Sequence, residues 1–247
     1  MIQDLHSHSR RSFCGKDRAR DLVLAAKAGG IDTFGITDHN YGVGYGDVAK
    51  YHTEPPEAAP YEENLRCYFD RLTQLREEFA PHVRLLRGIE IATDAARPHT
   101  VLPAKVDVSF FDYCLLEHLD APLSVTEGDL FATAKRLRVP KVGVAHTDLF
   151  AHAEKCGIPP QEYFCRMAEA GIFWEMNVSY DSIHGYREHP YMLRFFEDER
   201  EQEIVRKSGV EVSIGFDGHR LEDYLPERIQ NYNRRLEALS IPRPFAP

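Results

Sequence analysis

The sequence predicts an α/β fold with a seven-stranded parallel sheet, either closed as a barrel or left open. Seven short apolar or β-branched runs alternate with amphipathic helical stretches, and strands that alternate with helices form parallel sheets. The 247 residues suit one large α/β domain, because barrels of about 250 residues are common. We therefore expect residues 1–247 to form a single domain.

The predicted elements follow one another in a regular order. The strands are expected at residues 2–6, 33–37, 83–91, 110–116, 141–145, 172–178 and 210–216. The helices are expected at residues 17–28, 62–79, 126–137, 160–170, 191–208 and near 227–239. Helix 62–79 shows the pattern most clearly, because its apolar residues recur every three or four positions and Pro81 ends it.

Segment 40–61 is the longest stretch without predicted secondary structure. It holds three glycines and three prolines, and a loop of this length is generally either functional or disordered. Its run "YGVGYG" is rich in glycine but lacks the Gly-Lys-Ser/Thr ending of a phosphate-binding loop. We predict a lid or a flexible loop.

The composition argues against several classes of protein. No apolar run approaches the roughly 20 residues that a membrane-spanning helix needs. Met1 leads directly into the first strand without the basic and apolar regions of a secretion signal, so we expect none. Five scattered cysteines without a Cys-x-x-Cys pair favour the reducing cytoplasm. The formal net charge of −9 argues against stable binding to nucleic acid. None of these features indicates the oligomeric state.

Candidate metal ligands gather where the predicted strands end. His6 and His8 are one residue apart in the first strand, so both side chains point to one face. Comparable residues follow the later strands, in chain order Asp38 and His39, Glu90, His118, His146, Asn177, and Asp217 with His219. The carboxyl ends of parallel strands meet at one rim of a barrel. Six of the twelve histidines lie at these ends, and burying them together would be costly unless they bound cations. The sequence therefore predicts a metal site at this rim.

An ordered set of motifs resembles one known family. The motifs "DLHSHS", "GITDHN", "RGIEI", "LLEH", "VAHTD" and "GFDGHR" span about residues 3–220 and resemble those of the PHP (polymerase and histidinol phosphatase) domain. The "SFCG" and "FDYCLLEH" segments, with the long stretch between "TDH" and "GIE", are most similar to stand-alone histidinol-phosphatase-like enzymes. The resemblance implies a distorted seven-stranded (β/α)7 TIM-like barrel that binds up to three divalent metals and hydrolyses phosphate esters.

The resemblance also implies a role for each candidate ligand. Four residues resemble the ligands of a first metal, namely His6, His8, Glu90 and Asp217. Three resemble the ligands of a second metal, namely Glu90, His118 and His146. The ligands of a third metal include the positions of His39 and His219. The last ligand position of the third metal falls on Cys14 when counted without a gap, and on Lys16 when aligned on "FCG". A thiolate would bind zinc, whereas a lysine would contact a substrate phosphate. We expect two to three divalent ions of zinc, manganese or iron, which these ligand types do not distinguish.

The predicted activity is metal-dependent hydrolysis of a small phosphomonoester, such as histidinol phosphate or another metabolite phosphate. Clustered metals lower the pKa of a bound water and hold it in line with the phosphate. Arg220, Arg187 and Lys16 are the candidates to hold that phosphate, with Arg10 and Arg11 beside the first motif as further candidates.

Four other residues have two alternative roles each. Asp38 and Asp148 would orient ligand histidines if they reach an imidazole N–H, or else they would cap turns. His184 and His189 would protonate the leaving group, or else they would lie exposed on a loop.

Two other functions fit the same motifs. A phosphodiesterase or nucleotidase acting on short nucleotides would use a similar metal cluster. A catalytically decayed metal-binding regulatory module would be expected to lack many ligands, whereas only one ligand position is ambiguous here.

Overall fold

Seven parallel strands form one sheet in chain order. The structure, a computed structural model, describes residues 1–47, 58–126 and 129–246. The strands are β1 (Gln3–Asp4), β2 (Thr33–Ile36), β3 (Arg84–Ala92), β4 (Tyr113–Glu117), β5 (Val142–Val144), β6 (Ile172–Asn177) and β7 (Val212–Gly215). Each strand pairs in parallel with the next one along the chain. The predicted α/β class with a seven-stranded parallel sheet is confirmed.

The sheet curves round until its two edges meet. The backbone that continues β1 bonds to the backbone that continues β7: Leu5 N donates to Ile214 O at 2.9 Å, and His8 N donates to Gly218 O at 2.9 Å. Asp217 N returns a bond to His6 O at 2.8 Å. These contacts nearly close a (β/α)7 barrel, which the motifs had implied.

Helices surround the sheet. They are α1 (Ala19–Ala28), α2 (Asn40–Tyr45), α3 (Ala58–Phe79), α4 (Leu130–Leu137), α5 (Leu149–Lys155), α6 (Pro160–Glu169), α7 (Pro190–Phe195), α8 (Glu199–Ser208) and α9 (Pro226–Ala238). The sequence predicted one helix over 191–208, but α7 and α8 are separate. Asp198 divides them, because its side chain accepts hydrogen bonds from the first backbone N–H groups of α8. Helix α5, which Asp148 caps, is not among the helices expected from the sequence.

Segment 40–61 is helical at both of its described ends. The prediction that it lacks secondary structure is wrong for Asn40–Tyr45 and for the start of α3. The Asn40 side chain stabilises α2 by donating to Thr100 O and by accepting from Ala92 N, each at 2.9 Å. Residues 48–57 lie outside the described part of the chain, so a lid there stays a prediction.

The barrel interior is a small apolar layer. Its members are Leu5, Leu86, Tyr113, Leu115, Ala145 and Phe173, with Phe245 packed against them. A Cβ at Gly35 or Gly88 would overlap the ring or hydroxyl of Tyr113, so both glycines make room for this side chain. The larger core lies between the strands and the helices and contains Trp174. Among the described residues, no helix is both long and apolar enough to cross a membrane.

Candidate metal centre

Strand alternation brings polar side chains to the carboxyl rim of the barrel. Successive strand residues point to opposite faces, and Tyr113 and Leu115 of β4 face the interior. Glu117, two residues on, faces the same way at the rim. In β6, Phe173 faces the interior and Glu175 follows two residues later. A Cβ at Gly215 would overlap the Glu175 carboxylate.

His6 and His8 meet two buried carboxylates. Their Nε2 atoms are 3.1 Å apart. Glu90 lies 3.3 Å from each Nε2, and Asp217 Oδ1 lies 3.3 Å from His6 Nε2 and 2.9 Å from His8 Nε2. Donors bound to one ion at about 2.1 Å lie about 3.0–3.4 Å from their neighbours. The observed spacing fits a shared cation.

Hydrogen bonds fix the orientation of both imidazoles. His6 Nδ1 lies 2.7 Å from Glu175 Oε1, and His8 Nδ1 lies 3.0 Å from the Ser12 hydroxyl. Ser12 donates in turn to Asp38 Oδ1 at 2.7 Å. Each Nδ1 therefore carries the proton, which leaves the Nε2 lone pair for a metal. Asp38 acts on His8 through Ser12 rather than by direct contact.

His39, Glu90 and Glu117 form a second group. His39 Nδ1 lies 2.9 Å from Glu90 Oε2 and 3.2 Å from Glu117 Oε1. These three atoms are buried and have no hydrogen-bond partner among the described residues. His146 Nε2 reaches the other Glu90 oxygen, Oε1, at 3.2 Å. Buried nitrogen and oxygen atoms that lack a hydrogen-bond partner are suited to coordinating a divalent ion.

His118 lies at the edge of the cluster. Its side chain is 32% exposed, and its ring centroid is 6.4 Å from that of His146. Its Nε2 lies 2.9 Å from Arg97 Nη2, and its Nδ1 lies 3.1 Å from Glu117 Oε2. Neither His118 nitrogen belongs to a group of three convergent donors in the described chain.

Cys14 lies inside the cluster, whereas Lys16 lies outside it. The Cys14 Sγ forms a convergent group with donor atoms of His8 and His39. Burial alone would raise the pKa of Cys14, but His8 and His219 lower it to about 5. The Lys16 side chain is exposed. The Lys16 backbone N–H donates to His219 O at 2.9 Å, but of the two positions that the sequence left open, the Cys14 side chain is the one that joins a convergent donor group in the described chain.

His219 and His184 share a carboxylate. His219 Nδ1 lies 3.1 Å from Asp181 Oδ2, and His184 Nδ1 lies 2.7 Å from Asp181 Oδ1. His184 Nε2 also lies 3.2 Å from Asp217 Oδ2, so both of its nitrogens face carboxylates. His189 differs, because its Nε2 is buried without a hydrogen-bond partner and its ring stacks on His146 with centroids 6.0 Å apart.

The candidate phosphate-binding arginines are exposed or partly exposed. Arg187 is exposed. Arg220 is partly exposed, its Nη1 lies 3.4 Å from Glu222, and its Nε is buried without a partner. Arg10 and Arg11 are exposed and line a separate cavity with Arg71. Asp148 caps α5 and pairs with Arg194 at 2.8 Å; it therefore serves as a cap aspartate.

The charges of the cluster stabilise one another. Burial alone would lower the pKa of His6, but Glu175 and Glu90 raise it well above its usual range. Burial alone would raise the pKa of Asp217, which His6 and His219 hold well below its usual range. A divalent cation would take over the role of these imidazole protons.

Three of the predicted ligands have unusual backbone geometry. His118, His146 and Asp217 have φ angles of 60°, 27° and 54°. Non-glycine residues adopt this region at a cost of about 1–3 kcal/mol, and they concentrate at functional sites. Each of these residues directly follows a strand or lies within two residues of one.

The barrel and its ring of buried histidines and carboxylates define a metal-dependent hydrolase. The model of the family described as PHP domain matches residues 4–239. The chain belongs to the PHP domain family, as its motifs indicated, and is a metal-dependent phosphoric ester hydrolase. Among curated proteins, no sequence matches this chain.

Solved structures share the fold at low sequence identity. A histidinol phosphate phosphatase from Lactococcus lactis, in complex with zinc, L-histidinol and phosphate, is 15% identical with a TM-score of 0.56. The match covers 98% of this chain and 95% of that one. A candidate histidinol phosphatase from Listeria monocytogenes is 13% identical, with a TM-score of 0.48, and covers 90% of this chain and 96% of its own. At these identities, the likeness to the Lactococcus structure supports the fold alone.

Several residues of the site were not expected from the sequence. Glu117, Glu175 and Asp181 are buried beside ligand candidates. Ser12 and Arg97 contact other ligand candidates through hydrogen bonds. Two of these could have been found from the alternation of side chains along a strand. "YCLLE" places Tyr113 and Glu117 on one face, and "FWEMN" does the same for Phe173 and Glu175. Asp181, Ser12 and Arg97 lie outside the strands and left no comparable signal.

Proposed function

We propose that the chain hydrolyses a small phosphomonoester with a water molecule activated by divalent metal ions. The observation that carries the proposal is the cluster in which Glu90 and Asp217 lie within 3.3 Å of the Nε2 atoms of His6 and His8. The Lactococcus enzyme of the same fold holds zinc together with an alcohol and a phosphate, which are the two products of monoester hydrolysis. This supports a monoester as substrate.

Two to three divalent ions are the proposed cofactors. Metal ions bound here would supply a water of lowered pKa and would neutralise charge on the phosphate. His6, His8, Glu90 and Asp217 are proposed for one ion, with Glu90, His118 and His146 proposed for a second. For the third, we propose His39 and His219 with the Cys14 thiolate, because this cysteine lies among the histidines. A thiolate favours zinc over manganese or iron at that position.

Cationic side chains at the rim would hold the substrate phosphate. We propose Arg220, Arg187 and Lys16 for this role, as the sequence suggested. The structure adds Arg97, whose guanidinium reaches His118 Nε2 and is itself held by Asp94 at 3.0 Å. A guanidinium binds a phosphate through two parallel N–H groups, an arrangement that Arg97, Arg187 and Arg220 can offer and Lys16 cannot.

His189 is the proposed proton donor to the leaving group. Its Nε2 is buried without a hydrogen-bond partner among the described residues, which leaves this atom available to a leaving-group oxygen. His184 fits the role less well, because both of its nitrogens already face carboxylates.

A substrate panel tests the proposal. Purified protein with added Mn²⁺ or Zn²⁺ should hydrolyse p-nitrophenyl phosphate and histidinol phosphate faster than bis-p-nitrophenyl phosphate or nucleotides. His8→Ala and Asp217→Asn should each abolish hydrolysis and lower the bound metal, whereas Lys16→Ala should leave the metal content unchanged. A strong preference for the diester would replace the monoester assignment with a phosphodiesterase. Metal binding without turnover of any ester would indicate the regulatory module.

The proposal also covers the cellular location and the partner of the protein. We propose a cytoplasmic protein, because all five cysteines are free in the structure and a reducing compartment keeps thiols in that form. The proposed partner is a small phosphorylated substrate.

A further inference from the structure

We propose that a cleft between helices α1 and α3 is a second anion-binding site, separate from the metal centre, and that it takes a small molecule with two phosphate groups. Four arginines line this cleft: Arg10, Arg11, Arg18 and Arg71. Arg10 and Arg11 belong to a short 3₁₀ helix, Arg10–Ser12. The inference does not depend on the proposed function, because the candidate metal ligands do not line the cleft.

The cleft consists of two adjoining cavities. Their volumes are about 290 and 200 Å³. Both are lined by Arg10, Arg11, Arg71 and the buried Tyr68, and the larger one also by Arg18. Pockets that hold small ligands start at about 300 Å³, so the cleft suits a small metabolite rather than a bulky one.

The positive charges of the cleft are not neutralised by the protein. The four arginines form no ion pair with a carboxylate in the part of the chain that the structure describes. Glu78 is the one acidic residue among the described lining residues, and its Oε1 is already paired with Arg20 Nη2 at 2.7 Å. The chain as a whole has 39 acidic and 30 basic residues. Four unpaired guanidinium groups in such a chain repel one another, and a bound anion would relieve this repulsion.

The start of α1 adds to the positive field. Arg18 is the N-cap residue, and no side chain among the described residues caps this end of the helix. Ala19, the first residue of α1, lines the larger cavity. The first backbone N–H groups of a helix attract anions. The helix therefore favours an anion on the same side as the arginines.

Buried polar side chains separate the cleft from the metal centre. Ser9 lines the larger cavity and donates through its hydroxyl to Asp38 Oδ2 at 2.6 Å. Asp38 Oδ1 accepts from Ser12, whose hydroxyl lies 3.0 Å from His8 Nδ1. The opposite nitrogen of His8, Nε2, faces Glu90 and Asp217. The cleft thus lies behind His8, away from the atoms that would bind metal.

The number of arginines indicates the class of ligand. A guanidinium binds a phosphate through two parallel N–H groups, and a phosphate group carries a charge of about −1.5 to −2 at neutral pH. Two phosphate groups therefore balance four arginines, whereas one would leave about half of the charge unpaired. A diphosphate or a bisphosphate meets this requirement. Nucleic acid is disfavoured, because the formal net charge of the chain is −9.

A competing explanation is that these arginines extend the substrate site at the metal centre. Calorimetric titration with methylenediphosphonate, a diphosphate analogue whose P–C–P bridge resists hydrolysis, separates the two explanations. Arg18→Gln and Arg71→Gln each remove one guanidinium from the cleft. Arg66→Gln is the matched control, because Arg66 lies on α3 as Arg71 does, is 50% exposed and pairs with Glu62. The metal-loaded proteins are compared, and their KM for p-nitrophenyl phosphate is measured in parallel.

Binding should depend on the cleft arginines, and KM should not. At low ionic strength the wild type should bind the analogue with a Kd below about 1 mM. Arg18→Gln and Arg71→Gln should each bind it about tenfold more weakly, and Arg66→Gln should match the wild type. KM should be the same in all four proteins.

Three results would overturn the inference. They are the absence of binding by the wild type, unchanged affinity in either cleft variant, and a KM that rises in step with the Kd in both, which would assign the arginines to the substrate of the metal centre. A protein that hydrolyses no ester but binds the analogue through Arg18 and Arg71 would overturn the proposed function and support this site.

Discussion

Glu175 should control metal affinity although it is not expected to touch a metal. Its Oε1 accepts from His6 Nδ1 at 2.7 Å, and its Oε2 accepts from the His146 backbone N–H at 2.9 Å. One carboxylate therefore orients two ligand candidates. Glu175→Gln keeps the size of the side chain but replaces one acceptor oxygen with an NH₂ group.

The amide cannot satisfy both donors at once. If its oxygen serves His146, the NH₂ group faces His6 Nδ1 and favours the tautomer that carries its proton on Nε2. That proton would point at the metal position and block coordination. Loss of one such orienting contact typically weakens metal binding 10- to 100-fold, which is about 1.4–2.8 kcal/mol.

Competition with a chromophoric chelator measures this affinity directly. Glu175→Gln should bind its tightest metal 10- to 100-fold more weakly than wild type. Glu78→Gln, which alters an exposed partner of Arg20, should leave it unchanged. Equal affinity in wild type and Glu175→Gln would refute the orienting role and would mean that His6 keeps its tautomer without the carboxylate.

Three further changes have defined outcomes. Gly35→Ala should lower the free energy of unfolding in urea by about 1–3 kcal/mol, because the new Cβ overlaps the Tyr113 hydroxyl; an unchanged midpoint would contradict the tight interior. Ser12→Ala should weaken metal binding about tenfold by chelator competition, since His8 Nδ1 loses its contact; unaltered affinity would show that His8 needs no support. EDTA treatment should lower Tm and abolish phosphate release, and Zn²⁺ or Mn²⁺ should restore both; a Tm insensitive to EDTA would argue against a metal within the core.

The rim of the barrel was predictable because strand order and ligand spacing are local properties. His6 with His8, Glu90 and Asp217 each follow an apolar run, and parallel strands bring such positions together whatever the connecting helices do. The positions of their side chains in the structure agree with this expectation. The placement of Cys14 rather than Lys16 beside the histidines depends on how the chain turns after Ser12, which spacing alone did not fix.

The orienting residues were harder to predict because their partners are distant in the chain. Glu175 acts on His6 across 169 positions, and Asp181 acts on His219 from a loop. The alternation of side chains along β4 and β6 predicts only that Glu117 and Glu175 point inward. Which histidine each one meets depends on the shear between strands, and no local pattern encodes that shear.

Phe245 gives the barrel a closed floor. Its ring lies 5.5 Å from the centroid of Tyr113 and 6.4 Å from that of Phe173, on the side away from the histidines. Among the described residues, this ring covers the end of the barrel opposite the histidines, so a substrate would approach the cluster from the carboxyl rim. Under the proposed function, both products would leave on that same side, and phosphate that dissociated slowly would delay the next turnover.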